Sequence, residues 1–124
     1  MIRGIDISHW NGSIDFNRVK ASGIDFVIIK AGGSDYGFYT DKMFKTNYEK
    51  AKAAGLNVGA YYFVGKKFLG AQAGVADAMR FWHIINGMQF EYPVFLDLET
   101  TPATQKEEAT KAAKAFSETM EKTG

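Results

Sequence analysis

The stretch Tyr92-Pro93-Val94-Phe95-Leu96-Asp97-Leu98-Glu99-Thr100 is an apolar run that ends in two carboxylates one residue apart. Strand side chains alternate in direction, so Val94, Leu96 and Leu98 share one face while Phe95, Asp97 and Glu99 share the other. Two acids then stand on one wall, their Cα atoms roughly 6.5 to 7 Å apart, close enough to feel each other's charge and to reach one substrate. A strand built only for packing has little reason to keep such a pair, because burying an unpaired charge costs several kcal/mol. The plainer reading is a solvated strand end, or partners for nearby lysines.

Upstream of this strand, helical and strand periodicities alternate. Residues 2–8, Ile-Arg-Gly-Ile-Asp-Ile-Ser, predict a first strand with Ile5 and Ile7 on one face and Gly4, Asp6 and Ser8 on the other. A short helix follows from about Asp15 to Ser22, and Gly23 stops it. Phe26 to Ala31 reads as the second strand, Gly32 to Gly37 as a loop, and Asp41 as the cap of a helix carrying Phe44, Tyr48 and Ala51. Asn57 to Val64 predicts a third strand with Gly59, Tyr61 and Phe63 on one face. A third helix, about Ala71 to Asn86, places Val75, Ala78, Met79, Trp82 and Ile85 on its apolar stripe, with Trp82 in the core. After the strand with the paired acids, Thr104-Gln105-Lys106-Glu107 fits a capping box opening a fourth helix that buries Ala109, Ala112, Ala113, Phe116 and Met120.

Four strands alternating with four helices predict an α/β fold with a parallel sheet and right-handed crossovers. Two architectures fit: a small open doubly wound sheet, or the first four units of an eight-fold β/α barrel, which takes about 250 residues in full. Under either, active groups belong at the C-terminal strand ends, where Asp6, Ser8, Lys30, Tyr61, Asp97 and Glu99 fall.

Composition narrows the function. A chain of 124 residues makes one domain, and its 46% hydrophobic and 15% aromatic content argues for a packed core and against disorder. Fifteen Lys and Arg against 14 Asp and Glu, with no basic run longer than Lys66-Lys67, argue against a nucleic-acid partner held through phosphates. The absence of cysteine removes disulfides, thiolate zinc sites and cysteine nucleophiles together. Gly32, Gly33 and Gly37 lack the spacing and the lysine of a phosphate loop, so no cofactor is expected. His9 and His83 read as structural residues and not as metal ligands. No secretory signal follows Met1 and no run is long enough to span a membrane, so neither a membrane partner nor a leader is expected; export would use another route or a longer precursor.

At this point the motifs resemble a known family. Gly4-Ile5-Asp6-Ile7-Ser8-His9-Trp10-Asn11-Gly12, Phe26-Val27-Ile28-Ile29-Lys30-Ala31, Gly59-Ala60-Tyr61-Tyr62-Phe63 and Phe95-Leu96-Asp97-Leu98-Glu99 resemble, in order and spacing, the glycoside hydrolase family 25 muramidases, the lysozymes of phage endolysins and of bacterial and fungal secreted enzymes. The resemblance implies a TIM-like β/α barrel and hydrolysis of the β-1,4 bond between N-acetylmuramic acid and N-acetylglucosamine in the peptidoglycan of the bacterial cell wall. It implies Glu99 as general acid and base, Asp97 as the companion that steadies the reacting sugar, Asp6 as the first-strand aspartate of the site, and Tyr61 as a lining of the saccharide groove. Ser8, Lys30 and Trp10 join them as substrate-binding candidates. For Lys30 a snorkelling strand-end role is equally open, and Trp10 reads either as a ring for stacking on sugar or as packing at the barrel mouth. One carboxyl must stay protonated near neutral pH for glycosidic cleavage, and a neighbouring carboxylate holds that proton more tightly. Attack by the substrate's own N-acetyl group is the favoured route, with a carboxylate nucleophile and inversion left open.

Two departures from the family pattern stand out. Gly32-Gly33 occupies the place where members carry Thr or Ser followed by Glu. The chain also stops at Gly124, where the family continues into four more strands, one with a further aspartate of the site. Residues 1–124 therefore read as a partial catalytic domain, the first half of a barrel, expected to associate with itself, to pair with the missing half, or to be marginally stable. A chitinase-like barrel would need an aspartate where Phe95 stands. A non-catalytic saccharide-binding or assembly fragment is the reading from a different class.

Overall fold

The computed structural model describes residues 3–35, 37–98 and 105–123 of the chain. The element order is β1 (Gly4–Ile7), a 3-10 turn (His9–Asn11), α1 (Phe16–Ala21), β2 (Phe26–Gly33), β3 (Tyr39–Thr40), α2 (Phe44–Ala53), β4 (Asn57–Val64), α3 (Gly70–Ile85), β5 (Val94–Leu98) and α4 (Lys106–Thr123). Strands β1, β2, β4 and β5 pair in that order and all run parallel.

This order decides between the two architectures. A doubly wound sheet reverses direction at a switch point so that helices cover both faces. Here each crossover steps to the next strand on the same side, and right-handed crossovers that never reverse lay every helix on one face. The sheet is wound as a barrel is wound, with one covered and one open face.

Strand alternation sorts the residues between those faces. Val27, Ile29, Val58, Ala60, Tyr62 and Val64 are fully buried under the helices, where they meet Phe16, Phe44, Phe81 and Phe116. Phe81 stacks on Tyr62 with centroids 5.4 Å apart, and Phe116 stacks on Phe81 at 6.0 Å. Each such ring contributes about 1.5–3 kcal/mol by leaving water. The fourth helix buries Ala109, Ala112 and Phe116 as its spacing predicts, while its proposed cap Thr104 lies outside the described residues.

Three expectations need correction. The second strand continues through Gly32-Gly33, which had read as loop, and turns back as the short antiparallel β3, pairing Gly32 with Thr40 and Gly33 with Tyr39. Glycine is required there: a Cβ on Gly32 would come 2.3 Å from the Tyr39 carbonyl oxygen, and one on Gly33 2.4 Å from that of Phe63. Asp41 does not cap α2, which starts at Phe44 with Met43 as its N-cap; the Asp41 carboxylate instead accepts from Met43 N and from His9. On α3 the buried face is Gly74, Asp77, Ala78 and Phe81, so Val75 and Met79 are exposed and Trp82 is only half-buried. The helix packs against both the sheet and α4, where small residues allow close approach, and Asp77 turns inward because Tyr62 offers it a donor.

Candidate active site

The open face is built from the strand positions between the core residues. Asp6 and Ser8 come from the end of β1, Ile28 and Lys30 from β2, Tyr61 and Phe63 from β4, and Phe95 and Asp97 from β5. The register aligns Lys30 with Tyr61 and Tyr61 with Phe95; one pleat further along, Phe63 aligns with Asp97. With Trp10 and Asp35 from the loops, these side chains line one cleft of about 640 Å³ at the C-terminal ends of the parallel strands. Six of the seven residues singled out from sequence are thus brought together: Asp6, Ser8, Trp10, Lys30, Tyr61 and Asp97. The seventh, Glu99, lies outside the described residues.

The lower end of the open face is closed by aromatic packing. Phe26 covers Gly4, where a Cβ would meet the Phe26 ring at 2.1 Å, and it packs on Tyr92 with centroids 4.5 Å apart. Polar groups are therefore gathered toward one end, above a closed apolar base.

Lys30 does not snorkel. It is only 7% exposed, and its Nζ sits 5.0 Å from the ring centroids of both Tyr39 and Phe63, a cation held between two π faces. Tyr39 in turn donates to Asp35 Oδ1 at 2.8 Å. Burial, followed by that bond and the Asp35 charge, pushes the Tyr39 phenol well above its ordinary range. Trp10 stands at the cleft's rim, 83% exposed.

Sequence reasoning missed Asp35, Phe63 and Phe95 as cleft residues. Phe63 and Phe95 were legible, since alternation put them on the same faces as Tyr61 and Asp97. Asp35 was hidden by reading Gly32 to Gly37 as loop; it reaches the cleft because β2 runs on and the β2–β3 hairpin folds over Lys30. No group of three or more His, Asp or Glu side chains that could hold a metal ion is found among the described residues.

Comparison with known proteins places this arrangement. The family described as "Glycosyl hydrolases family 25" matches residues 5–124. The chain belongs to glycosyl hydrolase family 25. Among its relatives, the autolytic lysozyme of Clostridium acetobutylicum is 38% identical over 100 residues, covering 81% of this chain and 29% of the relative. Lysozyme M1 of Streptomyces globisporus is 37% identical over 105 residues, covering 82% of this chain and 34% of the relative. The solved bacterial lysozyme from Streptomyces coelicolor superposes with a TM-score of 0.78 at 30% identity, covering 98% of this chain and 58% of that structure. This family 25 chain therefore spans about a third of the length of those curated relatives, and its fold is the β/α barrel type of the family, represented by the strand and helix units above.

Proposed function

We propose that this chain carries part of the active site of an N-acetylmuramidase that cleaves the β-1,4 bond between N-acetylmuramic acid and N-acetylglucosamine in bacterial peptidoglycan. The observation that supports it most is the meeting of Asp6 and Asp97, from strands at opposite edges of the described sheet, in one cleft with Tyr61. In this reading Glu99, which alternation puts on the same wall as Asp97, protonates the leaving glycosidic oxygen. The carbonyl oxygen of the substrate's N-acetyl group attacks the anomeric carbon as the glycosidic bond breaks, Asp97 steadies the amide as it gains positive charge, and Glu99 then takes a proton from the water that attacks the same carbon and reopens the ring formed by the N-acetyl group. Asp6 completes the acidic wall, and Tyr61, Ser8, Lys30 and Trp10 contact the saccharide. The domain is the first part of the family's catalytic barrel.

Loss of turbidity in a bacterial cell-wall suspension tests this, comparing the chain with Glu99→Gln. The expected result is clearing by the former and loss of at least about 100-fold in the latter. Equal activity in both removes Glu99 from the mechanism. A second reading, a saccharide-binding or assembly fragment, is favoured by the openness of the cleft side of the sheet, where Phe95 is 45% exposed. Wall binding without clearing by either chain selects it.

A further inference from the structure

The turn after β1 is held more firmly than a surface turn needs to be. Ser8 caps it, its Oγ accepting from Trp10 N at 3.3 Å, while Asn11 Oδ1 accepts from Ser8 N at 2.9 Å. Gly12 closes it at φ 65 with nothing within 4 Å of where a Cβ would stand, so glycine is there for the backbone angle and not for space. A second clamp arrives from a distant part of the chain. Oδ2 of Asp41 accepts from His9 N at 3.1 Å and pairs with His9 Nδ1 at 2.9 Å, while Oδ1 accepts from Met43 N at 2.9 Å. The Asp41 side chain has no exposed surface, and Asp41 N donates to the Ala31 carbonyl in the β2 bulge at 2.9 Å. The His9 ring then lies against the Trp10 indole, centroids 4.5 Å apart and planes at 37°.

These contacts converge on a ring that does nothing for the core. An indole left in water contributes no hydrophobic stabilisation, yet a buried carboxylate, which must draw donors from its surroundings, draws two of its three from the residue beside it. The pairing of Nδ1 with Asp41 Oδ2 sets the orientation of the His9 ring. The result is a flat, amphipathic face presented at the rim beside Asp6 and Ser8.

We propose that His9 and Asp41 are positioning residues: the buried Asp41 carboxylate fixes the His9 ring, and the His9 ring fixes the Trp10 indole as a stacking platform for an N-acetylhexosamine unit. This rests on the muramidase reading and extends it from the reacting carboxylates to the rim that orients the sugar chain.

The test uses the full chain with Trp82→Phe, so that Trp10 is the sole indole of the two in the sequence, and the β-1,4 tetramer of N-acetylglucosamine as probe. Saccharide should shield Trp10 from acrylamide and shift its emission. Without saccharide, Asp41→Asn and His9→Ala should lower Trp10 fluorescence anisotropy, and both should weaken saccharide affinity about 10-fold, equivalent to about 1.4 kcal/mol. His9→Phe, which keeps a flat ring against the indole without the Nδ1 donor, should recover part of the anisotropy and the affinity. Thermal melts of each variant separate positioning from unfolding: a lowered midpoint with anisotropy and affinity unchanged overturns the positioning role. Saccharide that binds while Trp10 stays as quenchable as before overturns the platform and leaves the muramidase reading standing. A parent chain that binds no saccharide overturns both.

Discussion

Tyr62 donates a 2.7 Å hydrogen bond to Oδ1 of Asp77, and neither residue is more than 5% exposed. The bond ties the fully buried face of β4 to α3. Ser34 Oγ donates to the other carboxylate oxygen at 3.1 Å, and Arg80 Nη1 lies 3.7 Å from Oδ1. The same carboxylate thus holds the turn after β2, and through it the hairpin that carries Asp35 into the cleft from the other side of the sheet.

This pairing makes stability sensitive to alkali. Burial first, then the bond to Asp77 and its charge, push the Tyr62 phenol well above its ordinary value of 10.0. Above pH 10 the unfolded chain releases that proton while the folded chain keeps it, so the unfolded state gains and stability falls, by at most about 1.4 kcal/mol per pH unit for one phenol. Below pH 10 both states hold the proton and the contribution is constant. Urea midpoints should therefore drop above about pH 10 and drop less steeply in Tyr62→Phe. At neutral pH the same variant should be about 1–3 kcal/mol less stable, because Asp77 loses a buried donor. Parallel alkaline slopes in the two proteins would remove Tyr62 as the source.

Gly74 gives a prediction whose sign opposes helix propensity. In an open helix, Gly→Ala stabilises by about 1 kcal/mol. Here a Cβ on Gly74 would stand 2.0 Å from the Ala112 carbonyl oxygen on α4, and backbone cannot rotate out of the way. Forcing the helices apart disturbs the stack of Tyr62, Phe81 and Phe116, so Gly74→Ala should cost about 1–3 kcal/mol net. A thermal midpoint equal to or above that of the parent would show that α3 and α4 have room to spare.

What the sequence disclosed and what it concealed follow from the range of the interactions involved. Alternation within one strand is local, and it placed Asn57 to Val64 to the residue and sorted Tyr61 from Tyr62. The parallel sheet followed from the alternation of elements, and the polar strand ends predicted the cleft. Partners distant in sequence were not visible. An apolar stripe has no place for Asp77, whose donor Tyr62 lies across on β4, so the stripe ran through Val75 and Trp82 instead of Gly74 and Phe81. Asp41 looked like a helix cap because the local pattern cannot show His9 folding back onto it. Trp10 stayed ambiguous since hydrophobicity does not distinguish an indole that packs from one that is displayed.

Glu91 should lend stability that acid removes. Its carboxylate bonds to Lys52 and accepts from Val58 N at 2.9 Å, clasping the approach to β5 onto the start of β4. Burial works to raise its pKa, but the Lys52 bond, the Val58 N–H and the lysine charge together outweigh it and hold the carboxyl below its ordinary 4.5. The stabilisation is therefore complete above pH 4.5 and fades as pH falls through the lower folded value. With both side chains partly exposed, Glu91→Gln should cost less than about 1 kcal/mol at pH 7, and the gap should narrow as the pH is taken below 4.5. A gap that persists in acid would mean that shape, and not charge, makes the clasp.

The open face of the sheet predicts how the chain behaves in solution. Among the described residues β1 pairs only with β2 and β5 only with β4, so each presents one side to a further strand. On the open face Phe95 is 45% exposed, and Trp10 adds a second large ring nearby. Unpaired strand edges beside exposed apolar side chains attract another chain. Size-exclusion chromatography with light scattering should show a mass that rises above the monomer with concentration, or else the melt should be broad and begin at low temperature. Adding a polypeptide that supplies the remaining barrel strands should suppress the association and sharpen the melt, because the same edges and the same Phe95 face would then be covered. A dilute monomer with a sharp, cooperative melt, indifferent to that polypeptide, would show that the half-open sheet is self-sufficient.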